Sequence, residues 1–215
     1  SSQGIPVIYD ASHAFGVTQN GVSLLKAGDV STLSFNASKL FHTAEGGAVV
    51  TEDPAVAEEA AKLVNFGLDK EGEPVAVGIN AKMSELHAAM GLAVLEDLDW
   101  ILERRGALVS RYRKNLEGLV DFQQIIPEAH WNYAYMPVCF SDGVQRDRVE
   151  AHLAENGIQA RKYFSPALSE TVVYGNSDHC PVAVDVAGRI LCLPLSPDLK
   201  VSLVDDVCRH VREAL

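Results

Sequence analysis

The hydrophobic residues near the start of the chain come in short runs, each of which stops abruptly at polar residues. These runs cover residues 5–9, 32–35 and 48–51. Short apolar runs with polar ends are typical of buried strands in a mostly parallel sheet. We therefore predict an α/β unit over residues 1–52, with connecting loops rich in Gly, Ser, Asn and His, where functional sites usually lie.

After this first unit, the sequence predicts two helical segments. Asp53-Pro54 carries the signals of a helix start, since Asp is a good N-cap and Pro suits the first helical position, and this helix should end near Phe66. After an irregular stretch at 68–83, apolar side chains recur every three or four residues over 84–116. The pattern predicts one long helix, which would bridge two domains or line a dimer interface.

The last part of the chain predicts a smaller α+β unit. We expect strands at 133–140 and 190–193, and helices at 146–156 and over the C-terminal stretch. On the final helix one face is apolar, with Val204, Val207, Cys208, Val211 and Leu215. These patterns divide the chain into two domains, 1–116 and 117–215.

The composition of the chain argues against nucleic-acid binding and against a membrane-spanning segment. Lys and Arg number 18 against 29 Asp and Glu, so the formal charge is −11, and 47% of the residues are hydrophobic. An acidic chain without a Lys/Arg cluster is poorly suited to nucleic acid. No apolar run approaches the roughly 20 residues that cross a bilayer. We expect a cytoplasmic globular protein.

The four cysteines are scattered through the sequence without a CxxC pair. Their spacing does not match a cysteine-based zinc site. Since each lies in a locally apolar stretch, we predict buried free thiols in a reducing compartment. The sequence indicates no metal site.

Candidate chemistry follows the first two apolar runs. Lys39 lies five residues after the strand-end Ser34, in a small Gly-flanked loop, where a lysine can act as an amine nucleophile. Asp10 ends the first strand, on the usual ligand side of an open α/β sheet, and His13 lies three residues further on. Taken singly, each residue also has an ordinary reading: a surface lysine, a turn-capping aspartate and a core histidine.

Taken together, these residues fit one chemistry. Pyridoxal phosphate requires a lysine for its Schiff base, an acid beside its pyridinium nitrogen, and hydroxyl or amide donors for its phosphate. Lys39, Asp10 and Ser34 supply one of each at two predicted adjacent strand ends.

Four segments resemble the DegT/StrS family of sugar-nucleotide aminotransferases, and the order and spacing of the four make the resemblance specific. They are residues 7–16 (VIYDASHAFG), 34–39 (SFNASK), 45–47 (EGG) and 78–85 (GINAKMSE). The resemblance covers nearly the whole chain. It implies an α/β fold of type I, with part of an aspartate-aminotransferase-like, cofactor-binding large domain and its linking helix at 1–116. A small α+β C-terminal domain follows at 117–215.

The resemblance also implies residue roles. Lys39 matches the Schiff-base lysine that shuttles a proton, and Asp10 the acid that keeps the pyridine nitrogen protonated. His13 matches a contact to the hydroxyl side of the ring, and Ser34 a phosphate ligand. Asn80 matches an asparagine that reaches the phosphate of a neighbouring subunit, which implies a homodimer. Because some relatives are dehydratases with histidine in place of this lysine, Lys39 favours transamination.

Substrate contacts are implied in the second domain. Arg161 and Tyr163 occupy the stretch where the family contacts the sugar nucleotide, although the histidine that relatives often carry shortly afterwards is absent from 165–169. The segment around Lys39 is most similar to members acting on dTDP-4-keto-6-deoxyhexoses. The expected amino donor is glutamate.

The family chain extends further at its N-terminus, where it carries a phosphate-binding turn and an aromatic residue that stacks on the cofactor. Because the match begins almost at residue 1, we expect the C-terminal part of an aminotransferase, which alone binds pyridoxal phosphate weakly or not at all and does not turn over. The alternative is a non-catalytic remnant that acts as an interaction or nucleotide-sugar-binding module.

Overall fold

The computed structural model describes residues 3–174 and 180–215, which divide into two compact units. The first runs to Trp100 and includes 125–134, and the second comprises 101–124 and 135–215. In chain order, the first elements are β1 (Ile8–Asp10), β2 (Thr18–Gln19), β3 (Val22–Ser23), β4 (Val30–Ser34), β5 (Gly47–Val50), α1 (Pro54–Leu63), α2 (Glu85–Glu96) and α3 (Leu98–Leu116), which runs from the first unit into the second. They are followed by β6 (Asp121–Phe122), β7 (Ala129–His130), which belongs to the first unit, β8 (Met136–Cys139), α4 (Gly143–Glu155), α5 (Pro181–Arg189), β9 (Ile190–Leu193) and α6 (Val201–Ala214).

The main sheet of the first unit has the strand order β1-β4-β5. β1 runs parallel to β4, as predicted, but β5 is antiparallel to β4, so the expectation of a mostly parallel sheet is wrong for the third strand. The reason lies in the loop between β4 and β5, which returns directly alongside β4. Its base is closed by the Phe35 N–H, which donates to the Gly46 carbonyl at 2.8 Å.

Burial is uneven across this sheet. Alternate residues of the central strand β4 are buried, namely Ser31 and Leu33. All three residues of β1 are exposed, and Ile8 keeps 69% of its surface accessible. The predicted burial of this first strand is therefore wrong for the chain described here, because β1 lies at the edge of the three-stranded sheet.

The predicted long helix is two helices. Ser84, where the helix is predicted to start, caps α2 by accepting the His87 N–H, but α2 ends at Glu96, Asp97 is its C-cap and α3 begins at Leu98. The break places Asp99 in the first turn of α3, where a carboxylate is favoured by the helix dipole, although it also leaves Glu96 and Asp97 at the less favourable end of α2.

The second unit forms an antiparallel sheet, β6-β8-β9, with helices packed on it. The strand predicted at 190–193 is confirmed, and α6 buries four of its five predicted apolar residues, with Leu215 half-buried. The strand predicted from residue 133 begins only at Met136, since Tyr133 has a left-handed backbone with φ of 54°. α4 begins three residues earlier than predicted, because Asp142 caps it by accepting the Gln145 N–H at 2.7 Å.

The cysteines are free, as predicted, but their burial differs. Cys192 and Cys208 are buried, and that burial raises the pKa of each thiol to about 11. Cys180 is exposed, so its predicted burial is wrong. It is the N-cap of α5 and directly precedes the Pro181 that begins that helix. In the described part of the chain, no helix is both long and apolar enough to cross a membrane.

Two valines of α4 provide a matched test of the second unit's core. Val149 is fully buried, whereas Val144 is 80% exposed on the same helix. We expect Val149→Ala to lower the free energy of unfolding by about 2 kcal/mol through lost burial and a residual cavity. Val144→Ala should change it by less than about 0.5 kcal/mol. Equal effects in urea unfolding would contradict the assigned core.

Candidate active site

Two candidate residues lie at the same edge of the main sheet. Because β1 and β4 are parallel neighbours, their carboxyl ends meet there, with Asp10 ending β1 and Ser34 ending β4. This is the edge at which open α/β sheets bind ligands. The adjacency of the two strand ends, expected from the sequence, is confirmed.

Asp10 is held as a carboxylate. Its Oδ1 accepts two hydrogen bonds from Ser12, one from the hydroxyl and one from the backbone N–H at 3.0 Å. These bonds stabilise the ionised form and lower the pKa of Asp10, against a smaller desolvation effect. The residue thus caps the turn after β1 and also presents a negative charge at the sheet edge.

Lys39 and His13 meet directly. Lys39 Nζ lies 2.8 Å from Nε2 of His13. Partial desolvation of the ring, followed by the positive charge of Lys39, lowers the pKa of His13, while Asp10 acts weakly in the opposite direction. The imidazole is therefore held neutral, so its Nε2 can accept a hydrogen bond from the lysine ammonium.

The loop that carries Lys39 is built from consecutive side-chain turns. Ser34 Oγ accepts the Asn36 N–H at 3.4 Å, and Asn36 Oδ1 accepts the Ser38 N–H at 3.0 Å. The Lys39 N–H then donates to the Asn36 carbonyl at 2.9 Å. Because a hydroxyl that accepts one bond can still donate its own hydrogen, Ser34 keeps a donor for a ligand at this edge.

An aromatic cluster lies in the same unit as this loop. Phe15 stacks on Phe41 with ring centroids 4.4 Å apart, and Phe35 meets Phe41 edge-on at 4.8 Å. Gly91 of α2 packs against the same loop, since a Cβ there would come within 2.8 Å of Thr43 Cγ2 and 3.5 Å of the Phe41 ring. Substituting Gly91 would therefore disturb the layer between α2 and the lysine loop.

Sequence reasoning missed Asn132. This buried amide donates to the His13 carbonyl at 2.9 Å and to the Phe15 carbonyl at 2.8 Å, while its Oδ1 accepts the Ala134 N–H. It therefore holds the segment after Asp10 from 117 or more positions away in sequence. The sequence offers a weak signal for it, namely a lone amide within the aromatic run 131–135.

Asn80 makes its contacts elsewhere on the surface of the first unit, not with Lys39 or His13. It is exposed, its Oδ1 accepts from Lys82 Nζ at 2.8 Å, and its backbone bridges to Asn65. Lys82 also sits over the Phe66 ring, with its Nζ 3.9 Å from the centroid. These contacts of Asn80 are separate from the contact that joins Lys39 to His13.

Arg161 and Tyr163 belong to the second unit. The backbone of Arg161 pairs with Cys192 in β9, and its Nη1 donates to the Tyr163 hydroxyl at 2.7 Å. Tyr163 also meets Tyr135 edge-on, with centroids 5.7 Å apart. The structure therefore brings these two predicted substrate residues into direct contact beside β9.

Comparison with known proteins identifies the class to which this fold and these residues belong. The sequence pattern of the DegT/DnrJ/EryC1/StrS aminotransferase family matches residues 1–212, and the chain is a member of that family. The resemblance seen in the four segments is confirmed.

Three similar proteins place the chain within that family. It is 36% identical over 216 residues to a dTDP-4-amino-4,6-dideoxy-D-glucose transaminase of Shigella dysenteriae, covering 97% of this chain and 59% of the relative. The aminotransferase TlmJ of Streptoalloteichus hindustanus superposes with a TM-score of 0.92 at 28% identity, covering 99% of this chain and 59% of TlmJ. DesI, solved with its TDP-sugar product, superposes with a TM-score of 0.90 at 33% identity, covering 99% of this chain and 56% of DesI.

These matches confirm the predicted fold class. The chain has the mixed α/β architecture of the type I aminotransferases of this family and is partial relative to them, spanning 59% of the Shigella relative.

The contact between Lys39 and His13 predicts that the pKa of His13 depends on the charge of Lys39. Removing the lysine charge in Lys39→Met should raise the pKa of His13 towards its ordinary value, since that charge lowers it. Histidine-selective NMR titration checks this shift. Lys70→Met, at a largely exposed lysine paired with Glu58, should leave the pKa of His13 unchanged. An unchanged His13 titration in Lys39→Met would contradict the contact.

Proposed function

We propose that this chain supplies the lysine-bearing part of a pyridoxal-phosphate-dependent sugar-nucleotide aminotransferase. The observation that carries the proposal is the 2.8 Å contact between Lys39 Nζ and His13, which follows the ionised Asp10 by three residues. A nucleophilic amine and a fixed carboxylate are the two protein groups that this cofactor chemistry requires.

The residues at the sheet edge fit the cofactor. Asp10, kept ionised by Ser12, would pair with the protonated pyridine nitrogen, and Ser34 has a hydroxyl to donate to the phosphate. His13 would face the ring hydroxyl, and Lys39 would provide the amine. The chemistry supplied by bound pyridoxal phosphate is the temporary storage of the amino group between the amino donor and the keto sugar.

The protein groups themselves orient the amine and move protons. Neutral Nε2 of His13 accepts from Nζ and so directs the lysine side chain towards the carboxyl edge of β1. Lys39 Nζ, once deprotonated, is the base that carries a proton to and from the carbon receiving the amino group. Asn132 is a positioning residue, because it holds the backbone carbonyl of His13 rather than any reacting atom.

The proposed substrate is a dTDP-4-keto-6-deoxyhexose, aminated with glutamate as donor. The Shigella relative, named as a dTDP-4-amino-4,6-dideoxy-D-glucose transaminase, and the TDP-sugar product in DesI support this choice. Arg161 and Tyr163 are proposed to contact the sugar nucleotide, since their hydrogen-bonded pair joins a cation, an aromatic face and a hydroxyl. The proposed location is the cytoplasm.

Reductive trapping tests the proposal even where cofactor binding is weak. The chain is incubated with pyridoxal phosphate, reduced with borohydride, digested and analysed by mass spectrometry. We expect the pyridoxyl group chiefly on Lys39, with less labelling there in Asp10→Asn and unchanged labelling in Lys70→Met. Labelling spread evenly over the surface lysines would overturn the proposal and favour a non-catalytic binding module.

We also propose that the first unit is completed by a second copy of this chain. α2 is apolar around its whole circumference, which is typical of a helix covered on all sides. One side packs on the lysine loop at Gly91, whereas Leu86 and Leu92 remain 83% and 66% exposed. Asn80 lies five residues before this helix, so a partner seated on α2 would also approach Asn80, the residue proposed to reach the neighbouring subunit's phosphate.

Sedimentation velocity tests this dimer. We expect the chain to sediment as a dimer and the double variant Leu86→Glu/Leu92→Glu as a folded monomer, because two buried carboxylates would face an apolar interface. Val144→Glu, at an exposed valine of α4, should remain dimeric. A monomeric parent chain at high concentration would contradict the proposal.

A further inference from the structure

Three metal-ligating side chains meet where α4 packs against α6 in the second unit. His152 lies on α4, and His210 and Glu213 lie three residues apart on α6. Their ligand atoms all lie within 4.8 Å of one another, and within residues 3–174 and 180–215 they form the one such cluster of three His, Cys, Asp or Glu side chains. None of the three takes part in the proposed transamination chemistry.

The separations of the ligand atoms match a tetrahedral metal. Nε2 of His152 lies 3.2 Å from Nδ1 of His210 and 3.4 Å from Oε2 of Glu213, and the third side of the triangle measures 3.1 Å. A tetrahedral zinc ion with bonds of about 2.0–2.1 Å requires its ligand atoms to be about 3.3 Å apart. The triangle therefore has the size of one face of a zinc coordination sphere.

We propose that His152, His210 and Glu213 form a binding site for a zinc-class divalent cation, with the fourth coordination position open to solvent. Two imidazoles and one carboxylate are a ligand set that suits zinc. The site joins α4 to α6, and it stands independently of the proposed aminotransferase function.

The two imidazoles are well placed before any metal binds. The His210 side chain is 12% exposed and that of His152 is 31% exposed, so packing restricts both rings, whereas Glu213 is 45% exposed. Burial of the rings on separate helices fixes the two nitrogen ligands relative to each other. The more mobile carboxylate can then adjust to the bond length of the metal.

A surface cavity provides access to the site. It has a volume of about 440 Å³ and is lined by His152 and Glu213, together with Arg148 and Glu155. Water or a small anion can therefore reach the fourth coordination position, and Glu155 lies one helical turn from His152 on the same cavity wall.

Arg209 opposes metal binding in this arrangement. Its Nη2 lies 3.0 Å from Nε2 of His210 and its Nη1 donates to Glu213 at 2.9 Å. Since a guanidinium only donates, Nε2 of His210 accepts and Nδ1 carries the ring hydrogen. A metal on Nδ1 moves that hydrogen to Nε2, which Arg209 cannot accept. The structure thus identifies Arg209 as a residue whose removal should strengthen the site.

Calorimetric titration of the metal-free chain with ZnCl₂ tests the proposal. We expect one ion per chain, with binding weakened more than about 100-fold in both His152→Gln and His210→Gln, because losing a direct ligand costs more than losing an outer-shell partner. His130→Gln, at an exposed histidine of β7, is the matched control and should bind as the parent does. Circular dichroism without metal confirms that each variant is folded.

Two further readouts separate this site from adventitious binding. Zinc should raise the melting temperature of the parent but not of His210→Gln, since binding only the folded state stabilises it. Arg209→Gln should bind zinc more tightly than the parent, because it removes a positive charge and its amide oxygen can accept from Nε2–H. Zinc binding that persists unchanged in both histidine variants, or that is lost in Arg209→Gln, would overturn the proposal.

Discussion

The parallel pairing of β1 with β4 is the constraint on which the candidate active site depends. It brings Asp10 and Ser34 to one edge of the sheet, where the turn after β1 delivers His13 and the loop after β4 delivers Lys39. Neither loop holds its functional side chain by itself. The Lys39–His13 contact exists because two strand ends lie next to each other, so a change of register between the strands would separate the amine from the imidazole.

Support for this edge comes from distant parts of the first unit. Asn132 holds the backbone after Asp10 through two carbonyls, and Gly91 lets α2 approach the loop after Lys39. A side chain at position 91 would force α2 away from Thr43, and loss of the Asn132 amide would leave two carbonyls without their donor. The chemistry of the edge is thus local in sequence, whereas its geometry is not.

Local signals in the sequence account for what could be predicted. Asp10 and Lys39 stand out because strand ends, loops and residue types are visible in single segments, and Asp53 and Ser84 mark helix starts for the same reason. The direction of β5 depends instead on how its loop returns to Phe35. Asn132 acts across more than a hundred residues, so the lone amide in its aromatic run is only a weak local signal. The ligand triangle at His152 depends on the packing of two helices, which local patterns do not specify.

The two units complete their cores to different degrees, and this difference bears on both proposals. The largest fully buried side chains all belong to the second unit, among them Tyr112, Phe140 and Leu153. The first unit instead leaves β1 and much of α2 exposed, and its buried side chains cluster around the lysine loop, as Leu40 and Phe41 do. Because apolar surface of this kind is stabilised only when covered, the first unit gains most from a partner. The second unit has its own core, which is why the proposed site built from two of its helices can be preformed in the single chain, whereas the candidate active site lies in the unit that leaves more apolar surface exposed.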